Sequence, residues 1–111
     1  MANEIMIERR KAWVEALRSG EYKQEKYQMY NPISGGYCCL GVGYKLATNE
    51  IPPTVGSAGY FLVKDYYGLT DGLGKYGENC EKALFLHNDT DELNFNEIAD
   101  IIESSPEGLF Y

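Results

Sequence analysis

Cys38, His87, Asn88 and Asp89 are the residues whose types suit nucleophilic chemistry. Cys38 follows Gly35-Gly36-Tyr37, where a helix is expected to start. The positive end of a helix stabilises a thiolate, the nucleophilic form of cysteine. His87, the one histidine, is the candidate base, with Asn88 or Asp89 orienting its ring in a Cys-His-Asn arrangement. The types are right, but spacing along a chain does not establish proximity. A free cysteine is more often a small buried hydrophobe. The expectation is a chain without catalytic residues, with a cysteine-dependent enzyme using Cys38 as an alternative.

Binding is the second chemistry. The chain has 10 tyrosines in 111 residues. Tyr22, Tyr27, Tyr30 and Tyr37 fall close to Arg9, Arg10, Lys23 and Lys26, which combines faces for stacking with cations for phosphate. Asn88 and Asp89 can accept hydrogen bonds from a ribose or base, or bond turn amides instead. The candidate ligand site is thus Arg9, Arg10, Lys23, Lys26, Tyr27, Tyr37, Cys38, Asn88 and Asp89. Half-buried packing is the ordinary alternative for the tyrosines. Gly72-Leu73-Gly74-Lys75-Tyr76-Gly77 matches G-x-G-x-x-G, but the residues after it supply no βαβ unit, so it reads as a flexible loop. Cys38, Cys39, Cys80 and His87 lack zinc-finger spacing, so neither a metal nor a cofactor is expected.

Composition narrows the partners. Ten basic against 17 acidic side chains give a net charge of −7, unfavourable for general nucleic-acid binding. Residues 83–111 carry seven acidic side chains and no basic one, whereas residues 1–26 carry six basic and five acidic. The acidic end reads as a solvated face, or as a mimic of DNA toward a protein that binds it. No apolar run is long enough to span a membrane, and no basic-then-apolar leader begins the chain. Three cysteines without a leader suggest free thiols in a reducing cytoplasm.

The elements that must position these residues follow from periodicity. Residues 4–18 predict an amphipathic helix on Met6, Trp13 and Leu17, with Ile5, Ala12 and Ala16 beside them, Asn3 as cap and Gly20 as stop. Residues 21–37 predict a short β-hairpin or irregular arm turning at Asn31-Pro32-Ile33-Ser34-Gly35-Gly36. Tyr37 through Ala47 predicts a buried helix in which Gly41 and Gly43 admit another backbone closely. Residues 48–59 and 70–79 read as loops, 60–67 as a helix, and 82–87 as a helical turn or strand. Asn94 and Glu97 resemble a capping box ahead of Phe95, Ile98, Ala99 and Ile102 at helical spacing. Leu109-Phe110-Tyr111 is an apolar tail expected to dock on its own domain or on a neighbour. The fold expected is a single small α+β domain, helix-dominated, spanning residues 1–111.

Several blocks resemble a group of small phage and bacterial proteins. They are Trp13-Val14-Glu15-Ala16-Leu17-Arg18-Ser19-Gly20-Glu21-Tyr22-Lys23-Gln24, Tyr37-Cys38-Cys39-Leu40-Gly41-Val42, Asn88-Asp89, and Phe95-Asn96-Glu97-Ile98-Ala99-Asp100-Ile101-Ile102-Glu103. The resemblance implies a phage or prophage context in the host cytoplasm, but no reaction. Small phage proteins without catalytic signatures often block host defence. The function expected is therefore sequestration, without turnover, of a nucleotide-derived immune signal by a homo-oligomer. The alternative partner is a host defence protein blocked by the acidic face, in the manner of a DNA mimic.

Overall fold

The computed structural model describes residues 4–53, 58–77 and 82–110. Asn3, Cys80 and Tyr111 lie outside them, as does part of the 48–59 loop. Among the described residues, five helices and two short antiparallel strand pairs surround one core: a helix-dominated α+β domain. Among the described residues no helix is long and apolar enough to cross a membrane.

Helix α1 (Glu4–Arg18) turns Trp13, Val14 and Leu17 inward. Trp13 is fully buried, stacks on Tyr67 at 4.4 Å between ring centroids, and donates its Nε1–H to the Cys39 carbonyl at 3.0 Å. A buried indole needs such a partner for its polar edge. Ile5 departs from the predicted stripe, being 61% exposed, and Ala12 is exposed as well. Gly20 has φ +79°, the left-handed conformation expected after the helix.

Strands β1 (Tyr30–Asn31) and β2 (Gly36–Tyr37) form the expected hairpin, pairing Tyr30 with Tyr37 and Asn31 with Gly36. The Asn31 Oδ1 accepts from the amide of Ile33 at 2.9 Å, and Gly35 takes φ +75°. The segment before β1 lies parallel to β2: Glu25 N–H donates to the Tyr37 carbonyl and Tyr37 N–H to that of Lys23. Helix α2 (Cys39–Thr48) starts two residues later than predicted, because Tyr37 belongs to β2 and Cys38 is the N-cap. Helix α2 is the centre of the core, with Cys39, Leu40 and Val42 fully buried. A Cβ on Gly41 would stand 1.9 Å from the Met29 carbonyl oxygen, and one on Gly43 would meet Trp13 and Tyr67 at 3.1–3.2 Å. Gly41 therefore marks the close approach of another backbone that the sequence suggests, whereas Gly43 makes room for the Trp13 and Tyr67 rings and not for a backbone.

Helix α3 (Ala58–Tyr67) begins earlier than expected and absorbs Ala58 and Gly59 from the predicted loop. Residues 70–79 are not wholly loop: β3 (Lys75–Tyr76) pairs antiparallel with β4 (Lys82–Ala83). Gly74, at φ +74°, lies against Leu84, where a Cβ would clash at 2.7 Å from the Leu84 Cγ. That is the use the fold makes of the G-x-G-x-x-G run. Helix α4 (Leu84–Asp89) follows β4 directly, so both readings of residues 82–87 hold in succession.

Helix α5 (Phe95–Ser104) packs on α1 through Phe95, Ile98, Ala99 and Ile102. Its capping box forms: Glu97 N–H donates to the Asn94 Oδ1 at 2.8 Å, and Asn94 N–H to the Glu97 Oε1 at 3.0 Å. Arg18 spans the α1–α5 seam, donating to Asp100 and Glu103. The tail docks on its own domain. Leu109 is fully buried, its carbonyl accepts from Thr70 N–H at 3.0 Å, and Phe110 bridges to Leu69.

Candidate functional site

Asn88 is the polar centre of the molecule. It is fully buried at the end of α4, yet each of its side-chain groups is satisfied. The Oδ1 accepts from Gln24 Nε2 at 2.9 Å and from the backbone amide of Cys39 at 3.3 Å. The Nδ2 donates to the Glu25 carbonyl at 2.7 Å and to the Asp89 Oδ1 at 2.8 Å. The same Asp89 oxygen accepts from Tyr27 N–H at 2.9 Å. Asn88 and Asp89 thus clamp the 24–27 arm and the first turn of α2 to α4, bonding distant backbone and not the amides of their own turn.

The nine residues of the sequence-derived site divide between places. Lys26, Tyr27, Cys38, Asn88 and Asp89 gather around this clamp. Tyr37 is buried under it, its ring against Tyr22 and Tyr30, and burial raises its hydroxyl pKa. Lys23 contributes its carbonyl to β2 while its side chain is exposed. Arg9 and Arg10 sit elsewhere, at the carboxyl end of α3. Arg9 donates to the Tyr66 carbonyl at 3.1 Å with its guanidinium 4.0 Å from the Tyr66 ring centroid. Arg10 Nε donates to the Tyr67 carbonyl at 2.7 Å, and its guanidinium lies 3.9 Å from the Phe110 ring centroid. Cations at a helix C-terminus complement its dipole, which explains this pairing locally.

The Cys-His-Asn arrangement is not what the residues form. His87 is held by Tyr76 Oη at 2.6 Å on Nε2 and by Asp91 Oδ2 at 2.7 Å on Nδ1, so neither ring nitrogen faces a thiol. The Cys38 Sγ instead accepts from Gly41 N–H at 3.3 Å as the helix cap. Burial pushes the Cys38 thiol up to about 12, outweighing the helix-end amides that lower it, and the Asp89 charge raises it further. Burial raises the Cys39 thiol too. Desolvation disfavours the charged form, so the helix N-terminus does not yield a thiolate here. Sequence reasoning missed Tyr76 and Asp91 as partners of His87. The four-residue step from His87 to Asp91 was the available signal.

Beside the clamp lies a cleft of about 370 Å³ lined by Gln24, Lys26, Asn88, Glu92, Leu93 and Asn94, with Glu25 completing the wall. Lys26 Nζ and Glu92 Oε1 meet at 3.3 Å across it. The Gln24 amide donates both to Asn88 and to the Leu93 carbonyl at 2.8 Å, which leaves its oxygen as an acceptor. Asn94 uses its oxygen in the capping box, which leaves its NH₂ as a donor. The Glu25 carboxylate is turned away, accepting from Ser34 and from the Lys26 amide, and these bonds hold its pKa low. The cleft therefore offers an amide acceptor, an amide donor, one ammonium and one carboxylate. Two non-glycine residues with positive φ flank it, Tyr27 at +69° and Glu92 at +58°. The Tyr27 side chain is 77% exposed. Backbone held in that region costs energy and is found where surrounding bonds enforce it, as the Asp89 bond does at Tyr27.

A family model described as a domain of unknown function (DUF8296) matches residues 5–73. No curated protein and no solved structure matches the chain.

Proposed function

The chain belongs to this family, and we propose that it is a non-catalytic binding domain that sequesters a small nucleoside-type ligand in the cleft between the 24–26 arm and the α4–α5 connection. The observation that carries the reading is the set of polar groups on the cleft wall: the Gln24 oxygen and the Asn94 NH₂, beside the Lys26–Glu92 ion pair. A neighbouring donor and acceptor match the edge of a nucleobase or a ribose diol. The single cation, balanced by Glu92, favours a ligand with few phosphates over a polyanion. Absence of turnover rests on the buried Cys38 thiol and on the occupied ring of His87.

The resemblance to phage proteins makes a nucleotide-derived immune signal the first ligand class to test, with a counter-defence role. Isothermal titration calorimetry with nucleosides, cyclic ADP-ribose isomers and cyclic dinucleotides is the experiment. The expected result is one-to-one binding per chain, release of the ligand chemically intact, and loss of at least tenfold in affinity in Asn94→Ala. Absence of heat across the whole panel, or recovery of a cleaved ligand, overturns the reading. An acidic blocker of a host protein is the second reading, supported by the charge of residues 83–111. It expects binding of a protein that reversal of Glu97 and Glu107 to Lys removes.

A further inference from the structure

The cleft continues past Gln24 and Asn94. A second cavity of about 260 Å³ adjoins it, walled by Leu17, Tyr22, Phe95 and Asn96, and Gln24 and Asn94 line both cavities. Tyr22, Gln24 and Lys26 alternate along the arm, and alternate residues of extended chain share one side. The opposite wall runs the other way, from Asn96 through Asn94 to Glu92. The trough therefore has an order. At one end Lys26 and Glu92 meet at 3.3 Å. In the middle stand two anchored amides: Gln24 Nε2 bonds Asn88 and the Leu93 carbonyl, and Asn94 Oδ1 bonds the Glu97 amide. At the other end stand Tyr22 and the buried Leu17 and Phe95. The Tyr22 ring lies at 89° to that of Tyr37 with 5.4 Å between centroids, so an edge-to-face contact holds it in place. Arg18, the charged residue on this wall, is bonded to Asp100 and Glu103.

We propose that the two cavities form one site for a ribose-containing ligand with a single nucleobase. The inference rests on the nucleoside reading of the cleft and carries it to a ligand class and an orientation. The base lies in the apolar lobe against Tyr22 and Phe95, where a planar ring is buried and can stack. The ribose diol lies at the middle, one hydroxyl donating to Gln24 Oε1 and the other accepting from Asn94 Nδ2. The 5′ substituent then points to the Lys26–Glu92 pair. Size agrees with this assignment. The second cavity, at about 260 Å³, is smaller than the range of about 300–1,000 Å³ usual for small-molecule sites, and joined to the first it falls within that range. The trough has one apolar lobe and so holds one base. A second base would lie on the ion pair and desolvate it without replacing its bonds.

The test is calorimetry on the full chain with the common ribonucleosides, their 5′-monophosphates, cyclic ADP-ribose isomers and cyclic dinucleotides, and with the 2′-deoxy analogue of each nucleoside that binds. The expected result is that a one-base ligand binds best. Its 2′-deoxy analogue is expected to bind about tenfold more weakly, through loss of one hydrogen bond. Asn96→Trp fills the apolar lobe from an exposed position on α5 and is expected to weaken binding by about tenfold, the worth of one base stack. Tyr22→Leu, which keeps an apolar side chain but removes the ring, is expected to do the same. Circular dichroism melts on both variants verify that the fold is kept. A ligand that loses affinity in Asn94→Ala yet is indifferent to both Asn96→Trp and Tyr22→Leu overturns the joined site and leaves the reading of the cleft standing. A cyclic dinucleotide that binds more tightly than every one-base ligand overturns the single-base assignment in the same way. Absence of binding across the whole panel overturns the reading of the cleft, and this inference with it.

Discussion

Replacing Gly41 by alanine separates tertiary packing from helix propensity. In an isolated helix the change stabilises by roughly 1 kcal/mol. Here the new Cβ would stand 1.9 Å from the Met29 carbonyl oxygen and 2.8 Å from its carbonyl carbon. The obstacle is backbone, so no side-chain rotation relieves it. The arm must move by more than 1 Å from α2, which breaks the bond from Cys38 N–H to the Met29 carbonyl. Overpacking of this kind costs ~1–3 kcal/mol and often more when backbone must shift. The lost buried hydrogen bond adds about 1–3 kcal/mol. Against the propensity gain of about 1 kcal/mol, Gly41→Ala is expected to destabilise by about 1–5 kcal/mol in urea denaturation. Gly43→Ala is the control on the same helix, because its Cβ meets only ring atoms at 3.1–3.2 Å. It is expected to lie within about 1 kcal/mol of wild type. If Gly41→Ala equals wild type or exceeds it, the arm does not pack on α2 as described.

The remaining predictions concern the clamp and its surroundings. Cys38 in the native protein should resist iodoacetamide at pH 8 and react once urea unfolds the chain. Its proton is retained in the folded state up to about pH 12, while the unfolded thiol loses it near the ordinary value of about 8.5. The stability contributed is therefore complete below that value and falls above it by about 1.4 kcal/mol per pH unit for each of the two buried thiols, Cys38 and Cys39; urea titrations between pH 8 and 10.5, on wild type and on Cys38→Ala, check the slope and the share of Cys38. Asn88→Leu should cost ~3 kcal/mol or more, because the Cys39 amide and Glu25 carbonyl lose their buried partner; a thermal melt close to wild type would contradict it. Tyr27→Gly removes a left-handed side chain at φ +69° and should alter stability by less than about 1 kcal/mol, since relief of strain offsets the entropy of glycine. In calorimetry, an effect of Tyr27→Gly on affinity without one on melting temperature assigns the exposed ring to binding.

Local signals in the sequence were reliable where one element sufficed to produce them. Helix α5 was legible down to the Asn94–Glu97 capping box, because both bonds form within four residues. Gly41 and Gly43 announced close approach because glycine has little other reason to sit in a buried helix. The β3–β4 pair was not legible, since two-residue strands carry no periodicity. The roles of Arg9 and Arg10 were also hidden. Their partners are backbone carbonyls 57 residues away, and any helix end would have served. Residue types alone grouped Cys38 with His87. Only the fold shows that His87 faces Tyr76 and Asp91, while Cys38 turns toward its own helix.

The Asn88 clamp bears on where this protein can be cut. The family match ends at residue 73, fifteen residues short of Asn88. A fragment covering only the matched span would keep α1, α2 and the arm. It would lack the amide that joins Gln24, Glu25 and Cys39, and the α5 face that covers Trp13's helix. Its central helix would meet water along one side, and the buried Cys39 amide and the half-buried Gln24 amide and Glu25 carbonyl would lose the partner they share. The boundary of sequence similarity is thus not a boundary of folding. A soluble expression product of this chain has to include the stretch from β4 to the tail, and protease protection of the arm should appear only after that stretch has been synthesised.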